Sequence, residues 1–409
     1  MKQKVIIVIS IIIFMISIMN ISERVLAYSV GNGNPEENVI ETNTDFDYMM
    51  FVDVGICILF VIIGYGIWNK YGKEDMVVEN IQFYPPNNLN SAEIGYIYKG
   101  APDRNDIVSL LIYLANKGYL KIEEYEEENI KKKKIYKIIK LKEYDGENEK
   151  EKIFFNELFK SREEVKKEDL NNKFYTTIEK IIKNINKKQN QEKIFEKTSL
   201  DKRWIIAGMV MIMFIIMAGK NLLNIELMDI TGVAMMFLVL ELVIVCRRPR
   251  MRIIVTTVIT YIVVAFLYNL PNILTNGAEI IKFILESVCI AIEIICLGII
   301  KKRTKYGMEL LGKIKGFKKF LETAETTKLE AIIKKEPNYF YDILPYAYVL
   351  GASEVWMKKF EDIVLVTPKW YSCYTTFDNS EFYRFMNNTF KSICMSMNSQ
   401  PQADIYYLM

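Results

Sequence analysis

Four apolar runs between Trp204 and Ile300 constrain this chain more than any other feature. Each is roughly 17–22 residues, long enough for an α-helix to cross a hydrocarbon core of about 30 Å. They read as transmembrane helices at about 204–223, 227–246, 253–270 and 279–300. Short polar connections separate them, together with the basic cluster Arg247-Arg248-Pro249-Arg250-Met251-Arg252. Two further apolar runs lie upstream. Residues 1–27 begin with Lys2 and Lys4, continue with an apolar core from Val5 to about Met19, and end in Val25-Leu26-Ala27. That pattern reads as a secretory signal cleaved after Ala27, with an uncleaved anchor as the alternative. Residues 28–48 are acidic and Asn/Gly-rich and read as a short extracellular segment. Residues 49–68 form the first membrane helix.

The basic residues give these helices a direction. Lys70 and Lys73, Lys202-Arg203, the 247–252 cluster and Lys301-Lys302-Arg303 all fall at alternate helix ends, hence on one side. The opposite loops hold only Lys220 and the helix-end residue Lys282. Lys and Arg accumulate on the cytoplasmic side of membrane helices. Residues 69–203 and 301–409 are therefore expected in the cytoplasm, in a multi-pass protein of the cell membrane.

The chain has no histidine. That removes the commonest general base, the His-dependent nucleophile systems and the usual imidazole metal ligands. Six cysteines include no Cys-x-x-Cys pair, so zinc ribbons and redox pairs lack support. No phosphate loop or clustered acidic motif stands in the soluble parts. The reading is of a protein that is not an enzyme, with no cofactor and no metal site.

Within 69–203, Ser91 is expected to cap a short helix to about Tyr98. A second helix starts at Asp103 and Asp106, carries Ile107, Leu110, Leu111 and Leu114 on one face, and stops at Gly118. The runs 119–123 and 135–139 read as a hairpin. Helix, helix, hairpin is the order of a winged-helix-like α+β unit. Nucleic-acid binding is not expected of it, because the would-be recognition helix is close to neutral and the Lys131 to Lys134 tip is flanked by glutamates. Helices from Glu149 and from near Asp169 would close its core.

In the tail, Met308, Leu311, Ile314 and Phe317 share a helical stripe. That helix would lie along the inner leaflet or dock on the preceding domain. Thr327-Lys328-Leu329-Glu330 reads as a capping box. Pro345 and Gly351 could start and end a helix burying Tyr346 and Leu350, with Trp356 and Phe360 packed nearby. A further helical segment is expected near Ser380 to Met395.

Ionisable residues inside a bilayer are candidates for function, because burying them is expensive. Glu241 lies in the third membrane helix, and Glu286 and Glu293 in the fifth. Seven residues apart, the latter two share a helix face. They would form a proton or cation path between the third and fifth helices, or else interhelical polar contacts.

Two segments resemble a known family. Leu344-Pro345-Tyr346-Ala347-Tyr348-Val349-Leu350-Gly351, followed by Trp356 and Phe360, is similar to the C-terminal cytoplasmic part of the DUF2207 family. Its members are YciQ-like predicted bacterial membrane proteins. Ala92-Glu93, Asp106-Ile107, Leu111 and Leu114-Ala115-Asn116-Lys117-Gly118-Tyr119-Leu120 also resemble that family. The resemblance covers about residues 50–362 and implies an architecture, since the family's biochemistry is unknown. It also implies a large β-rich extracellular domain and a Gly/Ser/Cys-rich tail, and the sequence departs from both. The leading expectation is a membrane-anchored cytoplasmic interaction or signalling platform whose two soluble segments pack together. Its partners would be the lipid bilayer and a cytosolic or membrane protein. The alternative is a transporter or channel subunit using the intramembrane carboxylates.

Overall fold

The computed structural model describes residues 48–126, 134–218, 228–247, 251–275, 277–373 and 377–401. Its first helices are α1 (Tyr48–Tyr71), α2 (Ser91–Lys99), α3 (Arg104–Val108), α4 (Leu110–Asn116), α5 (Glu149–Phe159), α6 (Lys167–Leu170), α7 (Tyr175–Ile185) and α8 (Lys188–Ile194). Long helices follow: α9 (Lys197–Ala218), α10 (Met228–Arg247), α11 (Met251–Thr275) and α12 (Gly277–Ile299). Then come α13 (Lys305–Thr323), α14 (Thr326–Lys335), α15 (Tyr339–Val349), α16 (Ser353–Lys358), α17 (Asn379–Arg384) and α18 (Lys391–Asn398). The strands are β1 (Leu120–Glu126), β2 (Lys134–Lys140), β3 (Glu164–Lys166) and β4 (Tyr371–Ser372). The expected signal, the extracellular segment up to residue 47, the hairpin tip 127–133 and residues 248–250 lie outside the described residues.

Two compact units result. One is Met1–Glu74 with Glu196–Lys302; the other is Asp75–Phe195 with Arg303–Met409. In the first, α1, α9, α10, α11 and α12 form a bundle in which α12 touches each of the other four. Its core holds Cys57 and Val61 of α1, Val210 and Phe214 of α9, Leu238 of α10, Tyr261 of α11, and Cys289 and Leu297 of α12. The outer surface is apolar as well: Val52, Leu59, Ile62, Ile212, Leu240, Ile259, Val263 and Ile295 are exposed. Helices that are hydrophobic all round belong in an apolar surrounding. Among the described residues, one stretch, Phe51–Tyr71, is by itself long and apolar enough to cross a membrane. The other four apolar runs are helical too, with shifted ends. α9 begins upstream of Trp204, and α11 continues through Pro271, near its last turn.

The second unit starts from local capping. Asn90, not Ser91, caps α2: its Oδ1 accepts from the Glu93 N–H at 2.9 Å, and the Glu93 carboxylate accepts from the Asn90 N–H at 3.2 Å. The single helix expected from Asp103 is two. Asp103 caps α3, and the Ser109 hydroxyl then donates to the Asp106 carbonyl at 2.5 Å, a back-bond of the kind that bends helices. At Gly118, φ is +77°; Tyr119 N–H bonds Leu114 O and Gly118 N–H bonds Ala115 O, which closes α4 as a Schellman turn.

The hairpin follows directly. Ile122 of β1 faces Ile138 of β2 in antiparallel register. β3 joins β2 antiparallel, and β4, from the far end of the chain, joins β1 parallel, giving the order β3-β2-β1-β4. Behind the sheet, α5 packs on α7 through Phe154 against Phe174. The stripe Leu170, Phe174, Ile178, Ile181, Ile182, Ile185 is buried throughout.

The returning chain enters this unit at Arg303, whose guanidinium donates to Ile97 O at 2.9 Å and stacks over Phe195. α13 is docked on the domain, against α2, α8 and α16, with Leu311, Ile314 and Phe317 buried. The capping box expected at Thr327 does not form; Glu325 precedes α14 without a side-chain cap. A strap at residues 77–84 crosses α13 where Gly312 and Gly316 leave room. A Cβ at either would overlap the carbonyl oxygen of Val78 or Asn80. Asn80 N–H bonds Gly312 O, and Phe83 meets Phe320 edge-on. Because the obstacle to a Cβ is backbone, Gly316→Ala is expected to lower the stability of the solubilised full chain by about 1–3 kcal/mol. Lys319→Ala, on an exposed position of the same helix, should stay within about 0.5 kcal/mol in the same thermal melt.

Candidate functional site

Three buried polar side chains of the bundle, Glu286, Ser287 and Glu293, lie on α12. Lys282, Glu286 and Glu293 stand at i, i+4 and i+11, one stripe of the helix. Lys282 pairs with Asp53 of α1 at 2.7 Å. Glu286 is buried. Glu293 is 0% exposed, and neither carboxyl oxygen has a hydrogen-bond partner. Its carboxyl lies against Gly64 of α1, where a Cβ would overlap it. The carboxyl of Glu293 thus meets the first membrane helix, while α12 also touches α10, the third. Glu241, on α10, is half-buried with one unpartnered oxygen. Among the described residues no group of three His, Cys, Asp or Glu side chains could hold a metal ion.

In the sequence Arg203 is one basic flank among several. It is 2% exposed, with Nε donating to Ile300 O at 2.6 Å and Nη1 to Cys246 O at 2.9 Å. These carbonyls belong to the ends of α12 and α10, where backbone acceptors are orphaned and the helix dipole is negative. Lys202 sits over the Tyr71 ring at the end of α1. The start of α9 and the ends of α1, α10 and α12 thus share one end of the bundle, and the Asp53–Lys282 pair lies towards the other. Nothing in the sequence separates Arg203 from its basic neighbours.

In the second unit the motif residues build core. Gly351, at φ +71°, closes α15: Ala352 N–H bonds Ala347 O at 2.8 Å and Gly351 N–H bonds Tyr348 O at 3.2 Å. Pro345 does not start this helix, which begins at Tyr339; it stands inside. Proline has no N–H, so the carbonyl four residues back, Tyr341 O, loses its helical donor. The Asn116 side-chain amide donates to it at 2.5 Å. Tyr346 donates to Leu89 O at 3.0 Å and packs edge-on against Tyr113 and Phe317. Leu344, Ala347 and Leu350 are buried beside it. Trp356 donates to Phe340 O at 3.2 Å, and its ring contacts both Phe340 and Phe360.

Two further carboxylates of this unit are buried, in stretches whose sequence shows no site motif. Glu151 accepts from Asn90 Nδ2 at 2.8 Å and from the Tyr144 hydroxyl at 3.0 Å; burial nonetheless raises its pKa above the ordinary carboxylate range. Glu124 accepts from the hydroxyls of Tyr371 and Thr389, with Arg384 at 3.8 Å. The signal for Glu124 was there: strand alternation puts it on the face of Leu120 and Ile122.

A long apolar helix, a bundle apolar inside and out, and a compact α+β unit define a membrane protein carrying a globular domain. The chain belongs to the DUF2207 family of predicted membrane proteins: the model of that family's C-terminal domain matches residues 80–360. That span contains both resembling segments, and the Asn116–Tyr341 bond ties the first to the helix that carries the second. No curated protein and no solved structure matches the chain.

Asn116→Ala should cost about 1–3 kcal/mol, the price of a buried carbonyl left unpaired. In a Pro345→Ala background the new N–H can take that carbonyl, so the loss should shrink and a double-mutant cycle should show coupling. A second expectation concerns pH. Because the folded pKa of Glu151 is raised, its contribution to stability is complete below the unfolded value of about 4.3 and is lost as pH rises through the folded value. The Tm advantage of Glu151→Gln over wild type should therefore grow with rising pH across that window and then level off; a constant difference would contradict it.

Proposed function

We propose that the chain is a multi-pass membrane protein whose soluble domain, built on a winged-helix-like core, serves as a cytoplasmic interaction or signalling platform rather than as an enzyme. One observation carries the reading: residues 75–195 and 303–409 fold into a single unit, with β4 completing the sheet beside β1. Two parts of one domain cannot lie on opposite sides of a bilayer. The helices between them then cross an even number of times, and α9 to α12 supply four. α1 adds a fifth crossing, which leaves the preceding residues on the other side. The basic residues at the shared end of the bundle support the cytoplasm as the side that holds the domain. The buried position of Glu293 supports the alternative of a transporter or channel subunit.

Single cysteines at Lys188 and Lys328, exposed positions in the two soluble segments, test the topology in a cysteine-free background. Both should resist an impermeant maleimide in intact cells and react in inverted vesicles. Labelling of one segment from outside would end the reading. A photo-crosslinker at Val364, 90% exposed, should then give a discrete adduct in cells if the domain is a platform.

A further inference from the structure

We propose that Glu293 is a proton-binding site, its carboxyl held as the neutral acid against Gly64 in the seam between α1 and α12. The inference stands apart from the platform reading and rests on the bundle alone. Glu293 is 0% exposed, and neither oxygen meets a donor. An ionised carboxylate in that condition keeps neither water nor a partner, the least favourable state a buried group can adopt.

The other ways of settling the charge are closed. Lys282 is on the same stripe but pairs with Asp53, about 16 Å along the helix at 1.5 Å per residue. Arg203 spends its guanidinium on the carbonyls of Ile300 and Cys246. A metal ion would need several further oxygen ligands, and the described residues offer no such cluster. Among the described residues, the remaining titratable side chains along the bundle interior are Asp53 and Cys57 from α1, Glu241 and Cys246 from α10, Tyr261 from α11, and Glu286, Cys289 and Cys296 on α12 itself. None of them hydrogen-bonds Glu293. A proton is the ligand that fits.

Gly64 shapes the site, because any side chain there would occupy the space the acid fills. Loss of the proton would place a bare charge inside the seam, so proton release requires water to enter or α1 to part from α12. The seam's packing and its protonation are one equilibrium.

Infrared difference spectroscopy tests this on the full chain in dodecyl maltoside, a detergent without carbonyl groups. At neutral pH the wild type should show a protonated-acid C=O band that is lost in Glu293→Gln, kept in Glu286→Gln, and shifted in Gly64→Ala. Loss of carboxylate bands instead, or no acid band in the wild type, overturns the proposal. If Glu293→Gln fails to assemble, Glu293→Asp retains an acid in an altered position; an acid band unchanged by that substitution overturns it equally.

Discussion

A proline inside a helix strips one carbonyl of its donor, and the second unit is arranged around the repair. The donor comes from Asn116, the last residue of α4. Immediately after it the chain turns at Gly118 into β1, so the amide that satisfies Tyr341 O also fixes where the sheet begins relative to α15. α15 in turn seats Tyr346 between Tyr113 and Phe317, and its Phe340 receives Trp356. Removal of the one amide would leave a buried acceptor unpaired in the middle of that chain of contacts, where such groups are least tolerated.

The bundle handles buried polar atoms in two contrasting ways. Arg203 is buried yet used, bridging the ends of two helices whose terminal carbonyls have no partners of their own. Glu293 is buried with neither oxygen hydrogen-bonded, in a seam where Gly64 of the neighbouring helix lies against its carboxyl. The first arrangement looks after the architecture and asks for no movement. The second has no structural return, and structural economy alone does not account for it.

Much of this was legible because it is local. Hydrophobic length found every helix of the bundle, and period 3.6 found the stripe from Leu170 to Ile185. Glycine marked the ends of α4 and α15. What the sequence hid was long-range. Asn116 carries no sign that its partner lies 225 residues away. Arg203 looks like any basic flank until two helix ends converge on it. The cap of α2 moved by one residue because Asn90 and Ser91 are both good caps, and the position of Glu93 decides between them. β4 is two residues long, too short for alternation to register. The contact of the Glu293 carboxyl with Gly64 of α1 is equally hidden, because spacing along one helix says nothing about how that helix is rotated against its neighbours.

The parallel pairing of β4 with β1 has a consequence for how the protein is made. β1 and β2 leave the ribosome early, while Tyr371 and Ser372 follow only after four long apolar helices have been synthesised. At about 5–20 residues per second the interval is on the order of tens of seconds. Throughout it, the outer edge of β1 is an unpaired strand with Ile122 and Glu124 still waiting for their cover, and open edges of that kind recruit foreign strands. The nascent chain therefore spends its longest stretch of synthesis with its sheet unfinished. Delivery of its own C-terminal segment, rather than any property of the hairpin, closes that edge.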